Sequence, residues 1–394
     1  ISALGGPNLS GLIDLNGEVF FIGSEFDGSV DIGGDFMIAS FENLHTGFRF
    51  SDGVLTLDTL YGTILENCAI DGFGRINFST TPEQYQLYVD LKNFNLSNLI
   101  EGAFPSDLSG ELILKGESFH NADLKLQADV DLKESLFDEY PLQKALGRIT
   151  ITTDSIKFGD EFEIGYFEND FYVGGKVDYK NEMNLEVVAD LANLDRYRGK
   201  LFINEPSGRG HAEARLSGKT SDPDLSGWFA SDSVWLYDVY CDSLFTTFNI
   251  DRFLTGRDGE VTANMFNGSA YEIPFDTMYI HLNLDSNMVH FDSVTLNNTS
   301  ARITAKGSFD SESQPQELSI DTLAMDFFGQ PSYNRGPIEI AIDSIGFEIR
   351  RANIGNRETA LSATGRFNYN QTLNINLELT EVRAAPWISL FEQD

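Results

Sequence analysis

The stretch VGGKVDYKNEMNLEVVADLANLD, residues 173–195, alternates apolar and polar residues, breaks at Lys180-Asn181-Glu182, and alternates again. A period of two is the signature of a strand, and the polar break between two such runs predicts a hairpin. In the second run Leu185, Val187, Ala189 and Leu191 fall on one face, and Glu186 and Asp190 on the other. One face is apolar and one is wet, as in an antiparallel sheet covered on one side only.

The same plan recurs in the segments 47–96, 148–194, 279–323 and 338–382. Each opens with an alternating strand, turns at an Asp/Ser/Gly/Asn cluster, and returns as a second strand. Each then passes through a Gly–x–apolar step, at Gly74-Arg75-Ile76, Gly175-Lys176-Val177, Gly307-Ser308-Phe309 and Gly365-Arg366-Phe367, and runs into a further strand. A glycine inside a strand pattern reads as a curving device, with ordinary turn chemistry as its alternative. Repeat-like units fall at about 41–100, 105–200, 205–330 and 331–394. Ser51-Asp52-Gly53 and Arg257-Asp258-Gly259 read as hairpin turns. Helical pattern is weak and confined to YPLQKALG (140–147) and APWISLF (385–391).

Composition agrees with many strands joined by tight turns. The 394 residues include 31 Phe and 35 Gly but only 11 Pro, and carry a formal charge of −34. That charge argues against nucleic acid and anionic bilayer surfaces as partners. The two cysteines, Cys68 and Cys241, make neither a disulfide scaffold nor a metal cluster. No apolar run approaches the ~18 residues of a membrane span. The chain starts at Ile1 in mid-pattern and reads as a piece of a longer protein, with any anchor outside it.

No catalytic constellation stands out, and the chain reads as a non-enzyme without metal or cofactor. His45, His120, His211, His281 and His290 occur in no ligand spacing and read as surface or strand-filling residues. GSVDIGGD (28–35) has one faint likeness to a calcium-binding turn, and turn usage explains it more simply. GFGRIN is followed by a strand pattern instead of a helix, which excludes a nucleotide loop.

A sheet with one apolar face must cover it, by packing as a sandwich, by closing as a barrel, or by curling so that the face lines a trough. At about 12 residues per strand and turn the chain holds roughly 30 strands, and an open sheet rarely exceeds ~10 without curling or splitting. No linker or composition shift breaks the pattern into sandwich-sized blocks. The expectation is all-β: one continuous, curled, antiparallel sheet over 1–394 with little helix, an open groove built from repeated strand units. Its predicted lining is Phe50, Leu57, Ile76, Phe78, Leu87, Leu91, Ile151, Phe158, Val177, Leu185, Val187, Leu282, Phe291, Ile340, Phe347, Phe367, Ile375 and Leu377.

The openings PNLSG, the segments LSGKTSDPDLSG, DGVLTLDTLYGT and GFGRINFS, and YVDLKNFNLSNLI resemble the AsmA-like superfamily, TamB-type proteins in particular, most clearly over 5–98, 105–195 and 208–310. The resemblance implies a taco-shaped β-groove in the periplasm of a double-membraned bacterium, anchored in the inner membrane by a segment absent here. It implies transfer of phospholipid between the membranes, with links to outer-membrane protein assembly. Physics supplies a motive, since a sixteen-carbon tail crossing water exposes its CH₂ groups at a cost on the order of 12 kcal/mol. Two other readings stand beside this one: a scaffold for outer-membrane protein assembly that works through its strand edges, and a β-repeat surface stalk or adhesin with a filled interior.

Overall fold

The computed structural model describes residues 11–36, 39–65, 67–98, 105–118, 125–137, 140–178, 180–197, 207–236, 238–270, 272–327, 329–356, 359–369 and 372–380. It is all-β. The chain groups into two compact units, Ile1–Leu191 and Ala192–Asp394. The first contains β1 (Gly11–Ile22), β2 (Glu25–Phe36), β3 (Ala39–Ser51), β4 (Val54–Ile64), β5 (Cys68–Asn77), β6 (Gln84–Phe94), β7 (Ser106–Glu117), β8 (Lys125–Leu132), β9 (Ser135–Phe137), β10 (Tyr140–Thr152), β11 (Ser155–Tyr166), β12 (Asn169–Asp178) and β13 (Glu182–Leu191). The second contains β14 (Ser207–Lys219), β15 (Asp222–Leu236), β16 (Val239–Asp251), β17 (Asp258–Ala270), β18 (Ile273–Asp285), β19 (Met288–Asn297), β20 (Ala301–Asp310), β21 (Gln316–Phe327), β22 (Gln330–Asn334), β23 (Ile338–Ile342), β24 (Gly346–Gly355), β25 (Ala360–Asn368) and β26 (Leu373–Thr380).

Within each unit successive strands pair antiparallel as a meander. Two rungs are split. β8 and β9 together fill the place between β7 and β10, and β22 and β23 together fill the place between β21 and β24. YPLQKALG forms the start of β10 and not a helix. Its Leu142 and Ala145 serve the sheet's apolar face, and cross-strand pairing outweighs the helix propensity of a short Leu/Lys/Ala run. APWISLF lies outside the described residues. Among those residues the regular non-strand elements are two 3₁₀ turns, Leu96–Asn98 and Leu194–Tyr197.

The four repeated segments share a physical device. Each is a four-stranded meander: β3–β6, β10–β13, β18–β21 and β23–β26. In each, the second strand is bulged against the third. Register shifts fall between Leu57 and Leu60, Phe158 and Phe162, Phe291 and Val294, and Ile349 and Ala352. The recurrent glycine pairs with the residue that opens each bulge: Gly74 with Leu57, Gly175 with Phe158, Gly307 with Phe291, Gly365 with Ile349. A bulge bends its strand and raises the local twist, so a bulge repeated in every meander curves the sheet the same way. Gly175 and Gly365 hold φ of 110° and 137°, which a side chain would strain. Of the two predicted turns, Asp52-Gly53 has positive φ at both residues, the signature of a tight hairpin. Asp258 and Gly259 instead already belong to β17, and the chain reverses through 252–257. There Asp222 accepts from the amides of Leu254 and Thr255, at 3.2 Å each.

The core of the first unit forms on one face of one sheet. Cys68, Leu91 and Phe162 are 1%, 5% and 5% exposed, in a cluster that draws on β4 to β8, β10 and β11. No helix or second sheet of described residues lies over them. Side chains of a single sheet reach such burial only where the sheet curls and they cover one another.

Gly307 gives the test of this device. A Cβ added there would overlap the Ser319 carbonyl and the Phe291 ring, whereas one added at Gly329 meets nothing within 4 Å and faces only a left-handed φ of 78°. Gly307→Ala should destabilise by about 2–3 kcal/mol and Gly329→Ala by about 1 kcal/mol. Urea denaturation followed by circular dichroism measures both. Equal losses would show that contact at the bulge is not what Gly307 serves.

Candidate functional site

Directly paired residues of an antiparallel sheet share a face, so the strand register traces the apolar face rung by rung. One row crosses the first unit as Val19, Gly28, Phe48, Leu57, Gly74, Leu87, Leu114, Ala128, Ile149, Phe158, Gly175 and Leu185. The next row runs Phe21, Phe26, Phe50, Leu55, Ile76, Tyr85, Gly116, Leu126, Ile151, Ile156, Val177 and Met183. Twelve rungs pass without a charge or an amide. At ~4.8 Å per rung each row is an apolar track roughly 50 Å long.

The second unit has its own track: Leu216, Leu225, Ile250, Gly259, Leu284, Val289, Phe309, Leu318, Ile340, Ile349, Gly365 and Ile375. Beside it run Val261, Leu282, Phe291, Gly307 and Ile320.

The predicted lining residues fall on these faces. Phe50, Ile76, Ile151 and Val177 stand in one row of the first unit and Leu57, Leu87, Phe158 and Leu185 in the other. Leu91 pairs with Ile70 and Gly110, and Val187 with Val173, on the same side. In the second unit Leu282 pairs with Phe291, Phe347 with Phe367, and Leu377 with Ala363, while Ile340 and Ile375 lie in the long row. Phe78 differs: it lies just past the end of β5, its amide donating to the Gly53 carbonyl at 2.8 Å, and is 48% exposed. Leu377, on β26, is 61% exposed. Leu91 is buried and the others are half-buried. Leu91 belongs to the buried cluster of the first unit, and Phe158 packs against it.

Aromatic rings occupy the space over glycines of the adjacent strand. An added Cβ at Gly116 would meet the Tyr85 ring, at Gly147 and Gly210 the rings of Phe162 and Phe229, and at Gly268 and Gly307 those of Phe275 and Phe291. The glycine removes the side chain that would otherwise stand there, so the ring covers backbone. Single-residue reading of glycine as punctuation misses this. The signal was the coincidence of a glycine on the apolar parity with an aromatic one strand away.

The opposite face is polar and zoned. Asp71, Asp90, Glu111 and Asp131 stand side by side on four rungs, an arrangement of like charges that disfavours the sheet and is met in part by Lys133, 3.1 Å from Glu111. Arg148 lies 2.6 Å from Asp129 and, with help from Lys115, holds its carboxyl below the usual range. His45 Nδ1 is 2.7 Å from Asp31 Oδ1, with its ring against Tyr61. His211 packs on Trp228. His281 and His290 are half-buried on strands β18 and β19, and His120 lies outside the described residues. GSVDIGGD is part of β2, an unbroken partner of β1.

No family model, curated protein or solved structure matches this chain.

Cys68 and Cys241 are free and 1% exposed each; Cys68 sits on the apolar face, paired with Ile64, and Cys241 is paired with Val234 and Gly268. Burial raises both thiols, Cys241 to about 11, with Asp242 adding to the shift. Only the thiolate is nucleophilic, so at pH 8 native Cys241 should react with iodoacetamide roughly two orders of magnitude more slowly than a free thiol. Its rate should climb as pH rises toward 11, and unfolding should restore ordinary reactivity. Mass spectrometry of the labelled peptide reads both effects, and rapid labelling at pH 8 would contradict the burial.

Proposed function

We propose that the apolar face carries the acyl chains of phospholipids, and that the chain is a segment of a lipid-transfer protein bridging the two membranes of a diderm bacterium. The observation that supports this most directly is the pair of twelve-rung rows in the first unit, apolar throughout. Such a face shelters CH₂ groups worth ~0.8 kcal/mol each when removed from water. Rungs of similar chemistry give no single deep well, so a tail can pass from one to the next. Headgroups stay in water along the open side. The resemblance of the sequence to TamB-type proteins supports the same reading, and with it a periplasmic setting and an inner-membrane anchor are proposed. Direction and energy come from elsewhere in such a system.

The reading predicts bound lipid. Organic extraction of the purified protein should release phospholipid in stoichiometric amounts, and Val177→Asp with Val187→Asp should remove most of it. Both positions are half-buried on neighbouring strands of the lining, so the pair adds charge to the track without emptying a core. An unchanged circular dichroism spectrum separates lost binding from lost fold. Lipid-free wild-type protein would favour the stalk reading, and undiminished lipid in the double variant would remove the lining from the mechanism.

A further inference from the structure

A cavity of about 410 Å³ lies on the polar side of the sheet in the first unit, where β5 to β8 begin and end. Its inner row is Arg75, Gln86, Lys115 and Gln127, on four adjacent strands, and its outer row runs from Asn77 to Lys125. Three cations gather here in a chain of charge −34. Neither Arg75 nor Lys125 has a hydrogen-bond or ion-pair partner among the described residues.

Two of the four carboxamides on the wall, Asn77 and Gln127, are committed in a way that favours an anion, while Gln86 spends its Nε2 on the Tyr88 hydroxyl at 2.6 Å. Asn77 Oδ1 accepts from the Ser79 amide at 3.0 Å and from Ser79 Oγ at 2.6 Å. With the Gln127 amide set to satisfy its neighbours, its oxygen accepts from Arg148 Nε at 2.7 Å. Both carboxamides then have only N–H left to offer. Lys115 leans to Asp129 at 3.3 Å but keeps donors free. Glu117 is the one carboxylate on the cavity wall, opposite Lys125 in register. The row of four carboxylates is set apart by an intervening row that includes Phe73 and Tyr88, stacked at 4.7 Å. Three cations against one carboxylate make the hollow suited to an anion, and a guanidinium fork beside an ammonium suits tetrahedral oxyanions.

We propose that this cavity binds a phosphate group, either as the free anion or as the phosphomonoester headgroup of a lipid. Arg75 takes two oxygens, Lys125 and Lys115 supply point charges, and the amide donors of Asn77 and Gln127 take the remaining lone pairs. The site does not depend on the apolar face holding lipid.

Isothermal titration of the whole chain with inorganic phosphate, and then with dihexanoyl phosphatidic acid, tests the proposal. Saturable phosphate binding is expected, weakening with salt. Arg75→Gln with Lys125→Gln should weaken it about tenfold or more, while Lys219→Gln, on β14 in the other unit, should leave it unchanged. Both residues are exposed, and circular dichroism checks that the double variant keeps its fold. Tighter binding of dihexanoyl phosphatidic acid assigns the site to a lipid headgroup, and equal binding assigns it to free phosphate. No binding at millimolar phosphate, or binding that the double variant leaves intact, overturns the proposal. The lipid extracted from the protein reads the apolar face separately, so either idea can fail alone.

Discussion

An aromatic ring lying on a glycine of the next strand is the contact on which this fold turns. A sheet that keeps one face apolar and open meets two opposed demands. It needs large side chains, because the hydrophobic effect scales with the area they remove from water. It must also keep those side chains from interlocking across the concavity, which is how cores normally close. Phe291 over Gly307 and Tyr85 over Gly116 meet both demands. The ring takes the space over backbone where a side chain would otherwise stand. The abundance of both residue types, 31 Phe and 35 Gly, follows from this pairing better than from turns alone.

The bulges complete the device. At Leu57-Asp58-Thr59-Leu60 and Phe291-Asp292-Ser293-Val294, two polar residues separate two apolar ones that both face the lining. An extra residue there does not flip the remainder of the strand to the wrong side, because the bulge absorbs it. It also sets local twist, and its recurrence in the second strand of each meander makes curvature a property of the repeat. Sequence segments that look irregular under strict alternation are therefore the ones that shape the sheet.

This explains what was legible in the sequence. Alternation identified the apolar face, because parity is a local property: Leu185 and Val187 are on the same side whatever their strand pairs with. The register could not be read the same way. That Phe158 stands beside Gly175 and Ile149 depends on pairings 17 and 9 residues away along the chain, and on a bulge that shifts the count. Phe78 has the parity of the lining but sits past the last rung of its strand, where a turn and not the pleat decides its direction. YPLQKALG misled for a related reason. Its Leu and Lys content favours helix locally, and only the neighbours that pair with it make it a strand. The zoning of the polar face was invisible for the same cause, since Asp71, Asp90, Glu111 and Asp131 become neighbours only in the folded sheet.

That zoning bears on how so acidic a chain stays folded. Charges on the polar face of a one-sided sheet sit in high dielectric and are screened beyond ~8 Å at physiological ionic strength, so distant carboxylates matter little and adjacent rungs matter most. Where acids do fall on adjacent rungs they come with Lys133, and Lys144 stands 2.6 Å from Glu163 and 3.2 Å from Asp170. The apolar face carries none of this. Separation of the two chemistries by parity means that charge can accumulate on one side without reaching the other, since each strand residue pairs only with residues of its own face. The cation rows near Arg75 persist within a negative molecule because the row between them and the four carboxylates holds one acid, Asp129, and Arg148 and Lys115 pair with it. A one-sided sheet is thus able to hold an oily track, an acidic band and a donor-rich hollow within a few rungs of one another.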